Sequence, residues 1–284
     1  MASKLNELTS LGPVTLQVAD LQAQIDFYRS RLGLSLLSND SQVASLGTPL
    51  HELVHLKLHP GAKRYAHVAG LYHFCLRVEK RVELGLLLGH LLKTGTPLDG
   101  LVDHRMAEAV YLKDAEGNGI ELNWDRPRDQ WRPWAEWLSM GNAPLDSEGL
   151  LSQAGKSGRT FEGIEAQARI GHIHLHVGDL EAAEKFYVEV VGFERTATVP
   201  GQAVFTSAGG YHHHVAFNLW AGKNAAIPPA DAQGLMEFTV LVEGEEELGA
   251  LRLRAEAAHL PVESSGADLV LADPWKHSIR FKKN

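Results

Sequence analysis

The chain has 284 residues, 44% of them hydrophobic and 22% charged, a balance that suits a globular protein and excludes a disordered one. Acidic residues outnumber basic ones, 35 against 27, and the net charge of −8 argues against a nucleic-acid partner, which needs a cationic surface. At roughly 150 residues per domain, the length predicts two domains or one large one.

The N-terminal MASKLNELTS carries no apolar h-region, so no signal peptide is expected. From residue 11 an internal repeat begins. LGPVTLQVADLQAQIDFYRSRLGL (11–34) aligns without gaps on IGHIHLHVGDLEAAEKFYVEVVGF (170–193). A second pair is GLYHFCLRV (70–78) with GLMEFTVLV (234–242), and it ends with DAEGNGIEL (114–122) against DPWKHSIRF (273–281). The chain therefore holds four modules, near 10–60, 68–125, 169–222 and 233–282.

In module one Val14, Leu16 and Val18 alternate, as strand residues with one buried face do, and Ile173, Leu175 and Val177 repeat this in module three. Asp20 and Asp179 are placed to cap helices. The first helix would bury Leu21, Ile25, Tyr28 and Leu32 and stop at Gly33. Short strands follow, so each module reads βαβββ, an α+β unit whose single sheet must pair with another to close a core. In module two, the apolar run Leu84 to Leu92 is broken by Gly and His and cannot span a bilayer. Cys75, the one cysteine, excludes an intrachain disulfide and a Cys-based zinc cluster, which fits a cytoplasmic location. Gly117-Asn118-Gly119 predicts a hairpin turn that aims the strand carrying Glu121. Residues 126–168 lack strand periodicity and separate an N-terminal half (1–125) from a C-terminal half (169–284). Trp131, Trp134 and Trp137 in that separator predict a helix docked on a core.

These repeats, with GHIHLHVGDL…FY and YHF…GNGIEL, resemble the vicinal oxygen chelate superfamily of glyoxalases, bleomycin-resistance proteins and extradiol ring-cleavage dioxygenases. The resemblance implies paired modules forming two cup-shaped sheets, with two ligand positions per module. Those positions are Pro13 and Val54 or His55 in module one, and His73 and Glu121 in module two. Module three offers His172 and His214, and module four Glu237 and Arg280. Pro13 has no ligating side chain and Arg280 repels a metal, so the good ligands lie in modules two and three. Pairing two with three, and one with four, would gather them into one cup. Sequential pairing would instead favour His172, His214 and Glu237.

His73, Glu121 and His172 make a two-His, one-carboxylate set of the kind non-haem Fe(II) oxygenases use. The run DHRMAEAVYLKDAEGNGIEL (103–122) resembles the extradiol signature, in which a His and a Tyr precede the metal-binding Glu. On that resemblance His104 and Tyr111 stand near the substrate oxygens. A His in Tyr211-His212-His213-His214 would be the acid–base group; alternation assigns His214 to the cup, with His213 the fallback if the strand is bulged. His174 and His176 share the face of His172.

The function implied is a dioxygenase that inserts both atoms of O2 into a catechol-type ring at Fe(II), with Mn, Ni or Zn as other metals. Its partners would be a small aromatic diol and O2, with no membrane and no nucleic acid, and a homo-oligomer remains open. The alternatives are a glyoxalase-like lyase or isomerase and a non-catalytic resistance protein that binds small molecules.

Overall fold

The computed structural model describes residues 4–284. Each module runs in the order strand, helix and then three strands. Module one is β1 (Ser10–Val18), α1 (Leu21–Leu32), β2 (Ser35–Asn39), β3 (Val43–Gly47) and β4 (Glu52–Leu58). Module two is β5 (Gly70–Val78), α2 (Arg81–Lys93), β6 (Gly100–Asp103), β7 (Ala107–Lys113) and β8 (Gly119–Asp125). Between the halves lie α3 (Trp134–Met140), β9 (Ala143–Pro144) and α4 (Ser147–Lys156). Module three is β10 (Arg169–His176), α5 (Leu180–Glu184), β11 (Glu194–Val199), β12 (Ala203–Ser207) and β13 (Val215–Asn218). Module four is β14 (Gly234–Val242), α6 (Gly244–Ala257), β15 (Glu263–Ser265), β16 (Asp268–Ala272) and β17 (Ser278–Lys283).

The strands form two sheets. One has the order β15-β16-β17-β14-β1-β4-β3-β2 and the other β11-β12-β13-β10-β5-β8-β7-β6-β9. Modules one and four thus share a sheet, as do modules two and three. Within the first, β1 runs antiparallel to β14 with Val14 opposite Phe238 and Thr15 opposite Glu237.

The chain divides into two compact units. One holds Gly61–Tyr72 and His172–Asn284 with the chain up to Gln17; the other holds Val18–Pro60 and His73–Gly171. In the second unit, α1 is capped by the Asp20 carboxylate, which accepts from the Ala23 N–H at 3.0 Å. It buries Leu21, Ile25, Tyr28 and Leu32 as its spacing requires. It stops where Gly33 turns left-handed, at φ 67°. The Tyr28 hydroxyl then donates to Asp114 at 3.0 Å, tying the helix to the β7–β8 turn. In α2, a Cβ on Gly85 would lie 2.6 Å from the Leu150 carbonyl oxygen, so glycine lets α4 approach. Trp137 packs with Met106 and Ala107, and Trp131 lies against them, which is a docked aromatic helix; the side chain of Trp134 lies outside the described residues.

In the first unit, Asp179 caps α5 by accepting from the Glu181 and Ala182 N–H groups. Here the gapless alignment with α1 misleads: Lys185–Val191 winds as a π-helix before Gly192 ends it. The Tyr187 hydroxyl donates to Asp273 at 3.1 Å, repeating the Tyr28–Asp114 tie. A second difference from the sequence pattern concerns residues 211–214, which precede β13 instead of belonging to it.

Candidate metal centre and ring-binding face

In the second unit, parallel pairing of β5 with β8 sets Cys75 opposite Glu121. His73, two residues earlier on β5, shares the face of Cys75. The His73 Nε2 lies 3.1 Å from a Glu121 carboxylate oxygen, and both side chains are almost wholly buried. The Asn123 amide donates to the other Glu121 oxygen at 3.3 Å and fixes the carboxylate from the same strand face. On β7, Tyr111 pairs with Glu121 across the antiparallel ladder. Its ring meets that of His73 edge-on, with centroids 5.5 Å apart.

His104 completes this group. Its Nε2 is 2.7 Å from the Tyr111 hydroxyl, and its Nδ1 is 2.9 Å from the Asn142 amide oxygen. An amide oxygen can only accept, so Nδ1 carries the hydrogen and Nε2 accepts from the phenol while the imidazole is neutral. Four of the residues singled out in the sequence are therefore neighbours: His73, His104, Tyr111 and Glu121.

In the first unit, His172 sits on β10 with its ring centroid 4.1 Å from that of His213 and 5.8 Å from that of His212. His212 and His213 face each other at 2.8 Å through their Nδ1 atoms, so one donates and the other accepts. Alternation assigns His214 to the cup. It fails because Gly209 and Gly210 both turn left-handed and β13 starts only at Val215, so period two does not extend to these histidines. His214 accepts instead from the Ala208 N–H at 3.1 Å, and its ring stacks near Phe193.

Among the described residues, two groups of buried side chains could bind a metal ion: in the first unit His172, His212 and His213, with ligand atoms within 4.8 Å of one another, and in the second unit His73 and Glu121. The module-four positions do not join either group. Arg280 grips Glu237 with two hydrogen bonds, of 2.7 and 3.1 Å, so a guanidinium neutralises that carboxylate.

The sequence reading missed Asn142, which orients His104, and Asn123, which braces Glu121. Asn123 had a signal, since it lies two residues past Glu121 on one strand face. Asn142 had none, because it sits in a stretch without periodicity.

The model for the Glyoxalase/Bleomycin resistance protein/Dioxygenase superfamily matches residues 10–122 and 169–269. The chain is 37% identical over 277 residues to a catechol-2,3-dioxygenase of Bacillus subtilis (strain 168), with 96% of each chain covered. Among solved structures it resembles a putative dioxygenase from Bacillus subtilis at a TM-score of 0.66 and 14% identity, over 99% of this chain and 86% of the other. It also resembles glyoxalase I from Zea mays at a TM-score of 0.56 and 16% identity, over 96% of this chain and 92% of the other. These solved structures share its fold. Among the described residues no helix is long and apolar enough to cross a membrane. On the modules, their sheets and the extent of the family match, the chain belongs to the Glyoxalase/Bleomycin resistance protein/Dioxygenase superfamily.

Proposed function

We propose that the chain is an extradiol dioxygenase: it opens a catechol-type ring beside its vicinal hydroxyls, both atoms of O2 enter the product, and His73, Glu121 and His172 are the metal ligands. The observation that carries this reading is the buried pairing of the His73 imidazole with the Glu121 carboxylate, 3.1 Å apart. A buried carboxylate needs compensating charge, and a divalent cation supplies it. The relative named as a catechol-2,3-dioxygenase supports the same reaction class. A two-His, one-carboxylate set suits Fe(II), which when bound offers open positions for both diol oxygens and for O2.

The remaining work falls to the chain's own side chains. His213, beside His172, takes the diol proton and returns it later, as a positioned imidazole base can. Tyr111, held in place by His104, which Asn142 orients, swings its phenol hydrogen from the His104 Nε2 to the anionic diol oxygen. Buried Cys75 keeps the floor of the β5 face small and uncharged. A cytoplasmic location goes with this reading, since a free thiol suits a reducing compartment.

Oxygen uptake against a panel of catechols, before and after loading with Fe(II), tests the proposal. Uptake that depends on both iron and a vicinal diol supports it; a loaded protein that consumes no oxygen with any of them rejects it. A second reading draws on the extra imidazoles of His212 and His213 beside His172, which could supply a fourth ligand. The chain would then be a glyoxalase-like lyase or isomerase, using Ni or Zn and consuming no O2. Loading with Mn, Ni and Zn in the same assay separates the two.

A further inference from the structure

The Tyr211–His214 run precedes β13, and its peptide units are held one by one. The Ser207 hydroxyl donates to the Tyr211 carbonyl at 2.6 Å, and the Thr196 hydroxyl donates to the His212 carbonyl at 2.8 Å. The His214 N–H donates to the Thr206 carbonyl at 2.8 Å. A peptide unit is planar from one Cα to the next, so pinning its oxygen or its N–H also directs the side chains at both ends. His213 sits between two pinned planes. Thr196 holds the one before it, and the Thr206 carbonyl holds the one after it. Of these two holds, only that of Thr196 is made by a side chain.

Thr196 reaches the run because β11 is irregular at this point. Across its antiparallel pairing with β12, Arg195 stands opposite Thr206 and Ala197 opposite Phe205, which leaves Thr196 as an extra residue. A bulge of this kind bends its strand and re-aims the side chain it carries. The Thr196 hydroxyl also lies 3.2 Å from the Phe205 carbonyl. It has one hydrogen to give, and the shorter contact, to His212, takes the larger share.

The hold bears directly on the paired imidazoles. The Nδ1 atoms of His212 and His213 are 2.8 Å apart. Two neutral rings make that hydrogen bond only as opposite tautomers, one with its hydrogen on Nδ1 and the other on Nε2. A twist of the peptide that joins them would part the rings. The same twist would carry His213 away from His172, whose ring centroid is 4.1 Å from its own.

We propose that Thr196 is a positioning residue: through the His212 carbonyl it holds the His213 imidazole where it exchanges a proton with the diol. The proposal rests on the ring-cleavage reading only for the proton's destination. The positioning itself needs no turnover.

The test compares the unsubstituted protein with Thr196→Val, which removes the donor and keeps the branch at Cβ, and Thr196→Ser, which keeps the donor. In catechol-dependent oxygen uptake by the iron-loaded protein, kcat of Thr196→Val should fall about tenfold, the scale of one hydrogen bond, with KM changed by less than about twofold. Thr196→Ser should stay within about threefold of the unsubstituted rate. In a His213→Gln background, Thr196→Val should change kcat by less than about twofold, because the first residue acts through the second. An unchanged kcat in Thr196→Val would overturn the proposal. So would an equal loss in Thr196→Ser, or an undiminished loss in the His213→Gln background.

A second readout is independent of oxygen uptake. Nitrogen-15 spectra of the histidine rings, recorded on the full chain before iron loading, should show opposite tautomers for His212 and His213 in the unsubstituted protein and in Thr196→Ser. Thr196→Val should show mixed tautomers; opposite tautomers retained there would overturn the positioning. If the unsubstituted protein consumes no oxygen, the ring-cleavage reading falls alone and these spectra decide the role of Thr196.

Discussion

At the scale of single residues, the question with most consequence is which histidine of the Tyr211–His214 run would move the proton in the proposed ring cleavage. The structure groups His213 with His172 and turns His214 toward Ala208 and Phe193. His213→Gln is expected to keep its metal and lose roughly 10²–10⁴-fold in turnover, the contribution of a positioned acid–base group. His214→Gln should cost far less, and metal analysis with turnover on the same preparations checks both. Asn142→Ala removes the acceptor that holds the His104 Nδ1–H, so turnover should fall about tenfold with metal content unchanged. Sequence spacing was enough to single out His73, His104, Tyr111 and Glu121, because strand period and the family signature both act locally. It assigned His214 instead of His213 to the cup, because the choice depends on where β13 begins after two left-handed glycines, which period two does not register. Nor could it find Asn142, which only the β6–β9 pairing, Asp103 opposite Ala143, carries to His104.

Among elements, the recurring device is a helix tied to the next module's turn by a buried phenol. Tyr28 donates to Asp114 and Tyr187 to Asp273. Both hydroxyls have pKa values well above the usual tyrosine range, mainly through burial and further through the aspartates beside them. The sign follows directly. The unfolded chain ionises its tyrosines near about pH 10 while the folded one does not, so stability is whole below that pH and declines above it. Denaturant midpoints measured from pH 8 upward should therefore fall beyond about pH 10, and Tyr28→Phe should flatten the fall. At neutral pH the same variant should lose about 1–2 kcal/mol, because Asp114 is left buried with one donor fewer. Gly33→Ala is expected to cost about 1–3 kcal/mol in the same unfolding measurement. Its Cβ would sit 2.5 Å from the Gly163 Cα on a backbone already at φ 67°. The Asp caps and Gly stops of these helices were legible because each is a local rule. The π winding of Lys185–Val191 was not, since its sequence aligns without a gap on the regular α1.

For the whole molecule, four similar modules do not make equivalent sites. Strand order puts modules two and three in one sheet and modules one and four in the other. The first of these sheets carries His73, Glu121 and His172; the second carries a guanidinium, Arg280, locked to Glu237. The choice between crossed and sequential pairing lay beyond local sequence rules, because it is made by contacts far apart in the chain. Only the uneven quality of the ligands hinted at it. The central claim is thus one metal per chain, held through Glu121 and not through Glu237. It is tested most directly by iron content and catechol-dependent oxygen uptake in the unsubstituted protein, Glu121→Ala and Glu237→Ala. The account predicts about one iron per chain in the unsubstituted protein and in Glu237→Ala, and loss of both iron and uptake in Glu121→Ala. Full iron in Glu121→Ala, or iron lost from Glu237→Ala with its fold intact, would contradict it.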